Sequence, residues 1–144
     1  MRKRRAEPLE WSAQRAFSRL LARLNRSELS PLEARRYLSR AGCPESLVVE
    51  TVSRAEELGY LSAQRCQESL LRKAVYKKWS QIKLQQQGSV RGVEVADELD
   101  ESAAIEQLVR RWVEQKVELE KIRARLQRRG FRSTAIREVL RNLS

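Results

Sequence analysis

Apolar residues recur at spacings of three and four along almost the whole chain, which is the pattern of amphipathic helices. The stretch from Trp11 to Leu24 shows it first, and similar stretches follow as far as Leu143. Ser30, Pro31 and Glu33 have the spacing of a capping box with proline at the first helical position. The pattern predicts nine helices and no strand.

One short pattern is written more than once. "ARRYLSRAG" ends at Gly42, and "IRARLQRRG" ends at Gly130, 88 residues later. "SQIKLQQQG", ending at Gly88, is interpreted as a degraded third copy, with a leucine four residues before each glycine. Glycine is the usual left-handed residue that ends a helix, so these three glycines are predicted to end three equivalent helices.

The repeated pattern predicts how the chain is divided. The fold class is all-α, with three tandem three-helix repeats forming an elongated, curved array, because a unit of about 45 residues buries too little apolar surface alone. The predicted segments are a basic N-terminal tail (1–10), repeat 1 (11–60), degraded repeat 2 (61–99) and repeat 3 (100–144). The last helix of repeat 2 is predicted within "SVRGVEVADEL".

Composition and charge narrow the functional classes. The net charge is +11, which favours a polyanionic partner such as nucleic acid, an acidic protein face or an anionic membrane surface. The absence of histidine and the presence of only two cysteines argue against acid–base catalysis and zinc sites. No apolar run reaches the roughly 18–20 residues of a membrane span. We expect a cytoplasmic, non-enzymatic protein without cofactor, metal or membrane association, and a monomer.

Basic residues are the main candidates for a binding surface. Arg35 and Arg40 of the first copy match Arg123 and Arg128 of the last, so charge recurs at equivalent positions. The segment Tyr76–Trp79 joins two aromatic residues to two lysines, a combination that suits base stacking beside phosphate binding, although packing of its tryptophan in the core is the simpler interpretation. The full set of candidates is Arg35, Arg36, Arg40, Lys77, Lys78, Lys121, Arg123, Arg125, Arg128, Arg129, Arg132 and Arg137. Lys121, Arg125 and Arg128 are predicted to form one stripe opposite the core.

Acidic residues are concentrated between Glu94 and Glu106, a region without Lys or Arg from Val93 to Gln107. A divalent-cation site is one interpretation. An acidic connection that caps the following helix is simpler, because carboxylates stabilise helix N-termini. Docking on a basic surface, or on the protein's own arginines, is a third.

Several residues together resemble the RecX family, the modulators of the RecA recombinase. In the first repeat these are Arg26–Leu29, Leu38, Gly42 and the tripeptide Gly59–Leu61. In the last repeat they are Ile122, Leu126, Gly130 and Phe131.

The resemblance implies a non-catalytic regulator of DNA recombination and repair, including the SOS response. Such a protein binds the filament of RecA on single-stranded DNA and contacts that DNA directly or through the filament. It modulates recombinase activity, in the direction of inhibition. The alternative is a basic helical-repeat protein that binds nucleic acid without a recombinase partner. Binding to a membrane surface is a remote third possibility.

Overall fold

A computed structural model describes residues 10–95 and 99–143. Within these residues the chain is all-α, with eight helices and no strand. The helices are α1 (Ala13–Leu24), α2 (Pro31–Arg40), α3 (Glu45–Glu57), α4 (Ala63–Lys77), α5 (Gln81–Arg91), α6 (Glu101–Glu114), α7 (Leu119–Arg128) and α8 (Ser133–Leu143). They fall into two compact units, one that ends at Ala63 and one that begins at Gln64. Most of the predicted basic tail lies outside the described residues.

The first unit contains α1, α2 and α3 around one core. The capping box predicted at α2 is confirmed, because the Ser30 amide donates to the Glu33 carboxylate (2.9 Å) and the Glu33 amide donates to Ser30 Oγ (3.1 Å). Fully buried side chains come from all three helices and from the segment after α3; they include Leu20, Leu38, Val48 and Leu61. The apolar stripes of the sequence therefore meet as expected.

The second unit contains two clusters of buried side chains. One joins α4, α5 and the segment after α5, with Cys66, Leu70, Ala74, Leu84 and Val93. The other joins α6, α7 and α8, with members that include Ile105, Trp112, Ile122, Leu126 and Phe131. The apolar spacing along α6 predicts a core position for Trp112, which is confirmed, since it is 7% exposed. The spacing along α7 places Leu119 on one apolar stripe with Ile122 and Leu126, but Leu119 is 57% exposed.

The prediction that Gly88 ends its helix is wrong. The helix α5 runs through Gly88 and ends at Gly92, which has the left-handed φ of +70°. Ser80 is the N-cap of α5, since its Oγ accepts the Lys83 amide (3.1 Å), just as Ser30 caps α2. The glycine of α5 that corresponds to Gly42 in position and conformation is therefore Gly92, four residues after Gly88.

The corrected register has a consistent hydrogen-bond signature. At Gly42, Gly92 and Gly130, the residue after the glycine donates to the carbonyl five residues earlier: Cys43 to Leu38 (3.1 Å), Val93 to Gly88 (2.8 Å) and Phe131 to Leu126 (3.3 Å). This bond defines the Schellman ending of a helix. The donor residue is buried in every case.

The helix predicted after α5 is not seen in the described residues. Val93–Val95 and Leu99–Asp100 have no helical structure, and Ala96, Asp97 and Glu98 lie outside the described residues. Where the first and last groups of helices have α3 and α8, the described residues between α5 and α6 are thus not helical. Gly88 explains how this segment packs, because a Cβ there would lie 2.7 Å from the Val93 carbonyl oxygen and 3.1 Å from a Val95 methyl group.

Candidate nucleic-acid interface

Cationic side chains converge on an open cleft of about 760 Å³ in the second unit. Six of the residues that line it are basic: Lys77, Lys78, Lys83, Arg111, Arg128 and Arg129. None of the described residues that line the cleft is Asp or Glu. The aromatic side chains of Tyr76 and Trp79 also border it. A concave surface with one sign of charge raises the local concentration of a polyanion.

Four chain segments position these side chains. Lys77 and Lys78 lie at the C-terminal end of α4, where Lys78 adopts φ of +57° and the Trp79 amide donates to the Ala74 carbonyl (2.9 Å). Lys83 lies in the first turn of α5, and Arg111 lies on α6. Arg128 and Arg129 lie at the C-terminal end of α7. The C-terminal ends of α4 and α7 therefore both carry cations, which complement the negative end of a helix dipole.

The two aromatic residues of the Tyr76–Trp79 segment have different environments. Trp79 is half-buried against the cluster of α4 and α5, and Lys73 Nζ lies 5.7 Å from its ring centroid. Its interpretation as a core residue is supported. Tyr76 is 82% exposed and lies at the edge of the cleft. Tyr76 is therefore the ring that a nucleobase could stack on without displacing a core contact.

The arginines of α7 do not form the predicted stripe opposite the core. Arg125 is half-buried, with its guanidinium 5.3 Å from the centroid of the Trp112 ring, and Arg129 lies 5.5 Å from the same ring. A cation over an aromatic face is held there by the ring quadrupole. Arg125 is thus a packing residue, whereas Arg128 is exposed in the cleft.

The remaining candidates of the second unit lie outside the cleft lining. Lys121 and Arg123 are exposed on α7, and Arg137 is exposed on α8. Arg132 immediately precedes α8, and its backbone amide donates to the Glu101 carboxylate (2.9 Å). The structure therefore brings Lys77, Lys78, Arg128 and Arg129 together and leaves these four elsewhere on the unit.

Arg35, Arg36 and Arg40 are exposed on α2 of the first unit. Their match with Arg123 and Arg128 does not extend to α5. In the corrected register the residues of α5 that correspond to Arg35 and Arg40 are Gln85 and Val90. The recurring positive charge is thus confined to the first and last copies of the motif.

Two residues of the cleft, Lys83 and Arg111, were missed from the sequence. Lys83 follows Ser80 by three residues, and recognising Ser80 as an N-cap would have placed it in the first turn of α5. Arg111 is one turn from the cleft residue Leu108 on α6 and carries no local signal of its own. Only the packing of α6 beside the start of α5 reveals it.

The acidic segment has a structural role at Glu101. Its carboxylate is 4% exposed and accepts the backbone amides of Gln81 (2.8 Å) and Arg132 (2.9 Å). These amides belong to the starts of α5 and α8, so one side chain stabilises two helix N-termini. Asp100 caps α6 by accepting the Ser102 amide (3.0 Å), as the capping interpretation predicts.

The divalent-cation interpretation gains no support from the part of the segment that is described. Within residues 10–95 and 99–143, no three Cys, Asp or Glu side chains are grouped so that they could hold a metal ion. Asp97 and Glu98 lie outside those residues.

Among the helices that the structure describes, none is both long enough and apolar enough to span a membrane.

Comparison with known proteins adds no assignment. No family model matches the chain, and a comparison with curated proteins finds no match. The chemistry of the cleft therefore carries the functional argument.

Proposed function

We propose that the protein is a non-catalytic regulator that binds the filament of RecA on single-stranded DNA and inhibits recombinase activity. The observation that carries the proposal is the cleft of the second unit, in which six Lys or Arg side chains and the exposed Tyr76 ring surround one concave surface. The resemblance of the Gly59–Leu61 and Ile122–Phe131 segments to the RecX family supplies the identity of the filament. An arrangement in three tandem repeats, as an elongated and curved array in the cytoplasm, is part of the same proposal.

The charges of the cleft match the chemistry of a nucleic-acid backbone. Lysine offers a point charge and arginine a planar fork of donors, and both bind phosphate oxygens. Each phosphate contact with a single strand lowers the logarithm of the binding constant by about 0.7 per tenfold rise in salt. Binding through all six cations would therefore have a slope of about −4 on that scale.

The first experiment measures recombinase function. The protein is added at substoichiometric amounts to RecA, single-stranded DNA and ATP, and ATP hydrolysis and strand exchange are followed. We expect both rates to fall, because a protein bound along the filament affects several RecA protomers. Unchanged rates at low salt would contradict the proposal.

A second experiment tests the cleft itself. The double variant Lys83→Glu/Arg128→Glu removes two cations of the cleft and adds two anions, and we expect binding to a fluorescent oligonucleotide to weaken by about 100-fold at low salt. The matched control is Arg35→Glu/Arg40→Glu, which changes the net charge of the protein by the same amount on α2. Equal losses in both variants would show that the cleft is not the specific binding surface, and would contradict this part of the proposal.

The alternative function is nucleic-acid binding without a recombinase partner. The 82% exposure of Tyr76 beside Lys77 favours it, because this pair suits direct contact with an unstacked base. Tyr76→Ala is expected to weaken binding to a bare oligonucleotide by about tenfold, the value of one stacked base. Tight binding to bare DNA together with no effect on RecA would favour this alternative.

A further inference from the structure

An apolar groove of about 450 Å³ lies at the edge of the core of α6, α7 and α8. Its apolar lining is Val109, Val113, Leu119, Leu140 and Leu143. Val113, Leu119 and Leu143 are 58%, 57% and 50% exposed, so three large apolar side chains of one groove face the solvent together. Arg110 and Glu114 border the same groove on α6.

In the first unit, the segment that follows α3 packs on the surface that corresponds to this groove. The residues 88 positions before Leu119 and Leu143 are Pro31 and Ala55, and both are buried. Leu61 belongs to the core cluster of α1–α3, and its amide and that of Tyr60 donate to the Ala55 carbonyl (3.3 and 2.8 Å). Leu61 stands two residues before the start of α4.

The middle pair of helices is closed in a related way. Leu99, two residues before α6, packs against the α4–α5 cluster, and its amide donates to the Gln81 side-chain oxygen (3.0 Å). Glu101 then accepts the Gln81 backbone amide (2.8 Å). Gln81 is the first residue of α5 and is 2% exposed. Its counterpart in α7 is the half-exposed Leu119.

The start of α7 has the groups to receive a similar segment. Glu118 is its N-cap but makes no side-chain capping hydrogen bond, whereas Ser30 and Ser80 cap α2 and α5. An incoming carboxylate would meet the positive end of the α7 dipole, in a groove bordered by one cation, Arg110, and one carboxylate, Glu114. An incoming leucine would meet the apolar lining of the groove.

We propose that this groove docks a protein segment in which an apolar residue stands two positions before an acidic residue at the beginning of a helix. The partner's apolar side chain fills the position that Leu61 and Leu99 occupy in the earlier groups. Its carboxylate binds the first amides of α7, as Glu101 binds the Gln81 amide. The surface is separate from the cationic cleft, so this docking does not depend on the proposed DNA binding.

The probe for this proposal is a fluorescent peptide with the sequence of residues 97–110, titrated with the full-length protein by anisotropy. The control peptide carries Leu99→Ala, which leaves its charge unchanged. Because the leucine side chain would be buried in the groove and alanine fills much less of it, the control is expected to bind at least tenfold more weakly. Equal binding of the two peptides would overturn the proposal, since it would reflect attraction to the basic surface.

Variants of the protein test whether the peptide binds in the groove. Leu119→Glu and Leu143→Arg alter exposed groove residues, and each is expected to weaken the parent peptide at least tenfold. Val49→Glu changes a similarly exposed residue (53%) on α3 and is expected to leave binding unchanged. Loss of peptide binding in Lys83→Glu/Arg128→Glu but not in the groove variants would place the peptide in the cleft and overturn the proposal. Dimerisation in sedimentation experiments that Leu143→Arg abolishes would identify a second copy as the occupant, which also overturns it.

Discussion

The first and last groups of three helices correspond without a single insertion. The helices α1, α2 and α3 begin at residues 13, 31 and 45, and α6, α7 and α8 begin 88 residues later in each case, at 101, 119 and 133. Buried residues pair at the same offset, such as Leu20 with Leu108, Leu38 with Leu126 and Val48 with Ile136. The shared spacing of buried residues and the shared glycines Gly42 and Gly130 thus accompany the same local fold twice.

Their cores are filled differently. The last group has Ile122 and Phe131 where the first has Ala34 and Cys43. The first group compensates with partly buried aromatic side chains at its rim, including Phe17, which packs edge-on against Tyr60 with ring centroids 6.0 Å apart and carries Arg54 at 4.4 Å. The two groups therefore keep the same helix starts although their large side chains lie at the centre of one core and at the rim of the other.

The middle group shows what happens when one position of the pattern changes. It follows the first group at an offset of 50 residues through α4, Ser80 and Gly92, but it has Gly88 where the first group has Leu38. Without a side chain at that position, the segment Val93–Val95 packs directly on α5. We infer that this close approach takes the place of a third helix. The predictions below test the correspondence, from the largest expected effect to the smallest.

Replacement of Glu101 by Ala should have the largest effect on stability. Glu101 has no counterpart in the first group, where Ala13 occupies its position. The variant leaves the amides of Gln81 and Arg132 without their acceptor in a buried site. We expect the free energy of unfolding of the second unit to fall by about 3 kcal/mol, from two lost charge-assisted hydrogen bonds. Chemical denaturation followed by circular dichroism measures it. Glu106→Ala, at an exposed position of the same helix, is the control and should unfold like the parent protein.

Gly88→Ala should be destabilising by about 2 kcal/mol, because a new methyl group would meet the Val93 carbonyl oxygen and force the backbone apart. In an uncrowded helix interior the same change stabilises by about 1 kcal/mol. The sign of the change therefore decides whether the close approach of Val93–Val95 exists in solution. A variant more stable than the parent protein would contradict it.

Gly42 and Gly130 are equivalent residues that differ in their surroundings. Both have left-handed φ values, +94° and +87°, so alanine at either site should cost about 1 kcal/mol. At Gly130 the added Cβ would also lie 3.2 Å from Ser80 Oγ, whereas at Gly42 the nearest atom is 3.9 Å away. We expect Gly130→Ala to lower the thermal midpoint more than Gly42→Ala. The reverse order would show that α7 does not pack against the start of α5 in this way.

Lys116→Gly should give a small stabilisation of about 0.5 kcal/mol. Lys116 has φ of +60°, which strains a residue with a Cβ and does not strain glycine. Gln115→Gly is the control at the adjacent position, where φ is −80° and glycine only adds freedom to the unfolded chain. Thermal unfolding of the pair should show opposite shifts, and a destabilised Lys116→Gly would contradict the left-handed conformation.

The sequence by itself determined the helical class, most helix boundaries and much of the core, because these depend on local caps and on apolar periodicity. The capping box at Ser30, the ends at Gly42 and Gly130 and the burial of Trp112 all follow from residues within a few turns of each other. The middle motif was misaligned by one turn, since a glycine inside a helix and a glycine at its end look alike in sequence. The family and the function remain predictions that the structure makes testable.

Only the tertiary structure decided which charges meet. Lys83 and Arg111 join the lysines of α4 and the arginines of α7 in one cleft because the end of α4, the start of α5, one turn of α6 and the end of α7 meet there, and no local pattern encodes that meeting. For the same reason Arg125 proved to lie on Trp112 and Glu101 proved to bind two distant amides. Local free energies select helices, but the environment of each charge depends on contacts between residues far apart in the chain.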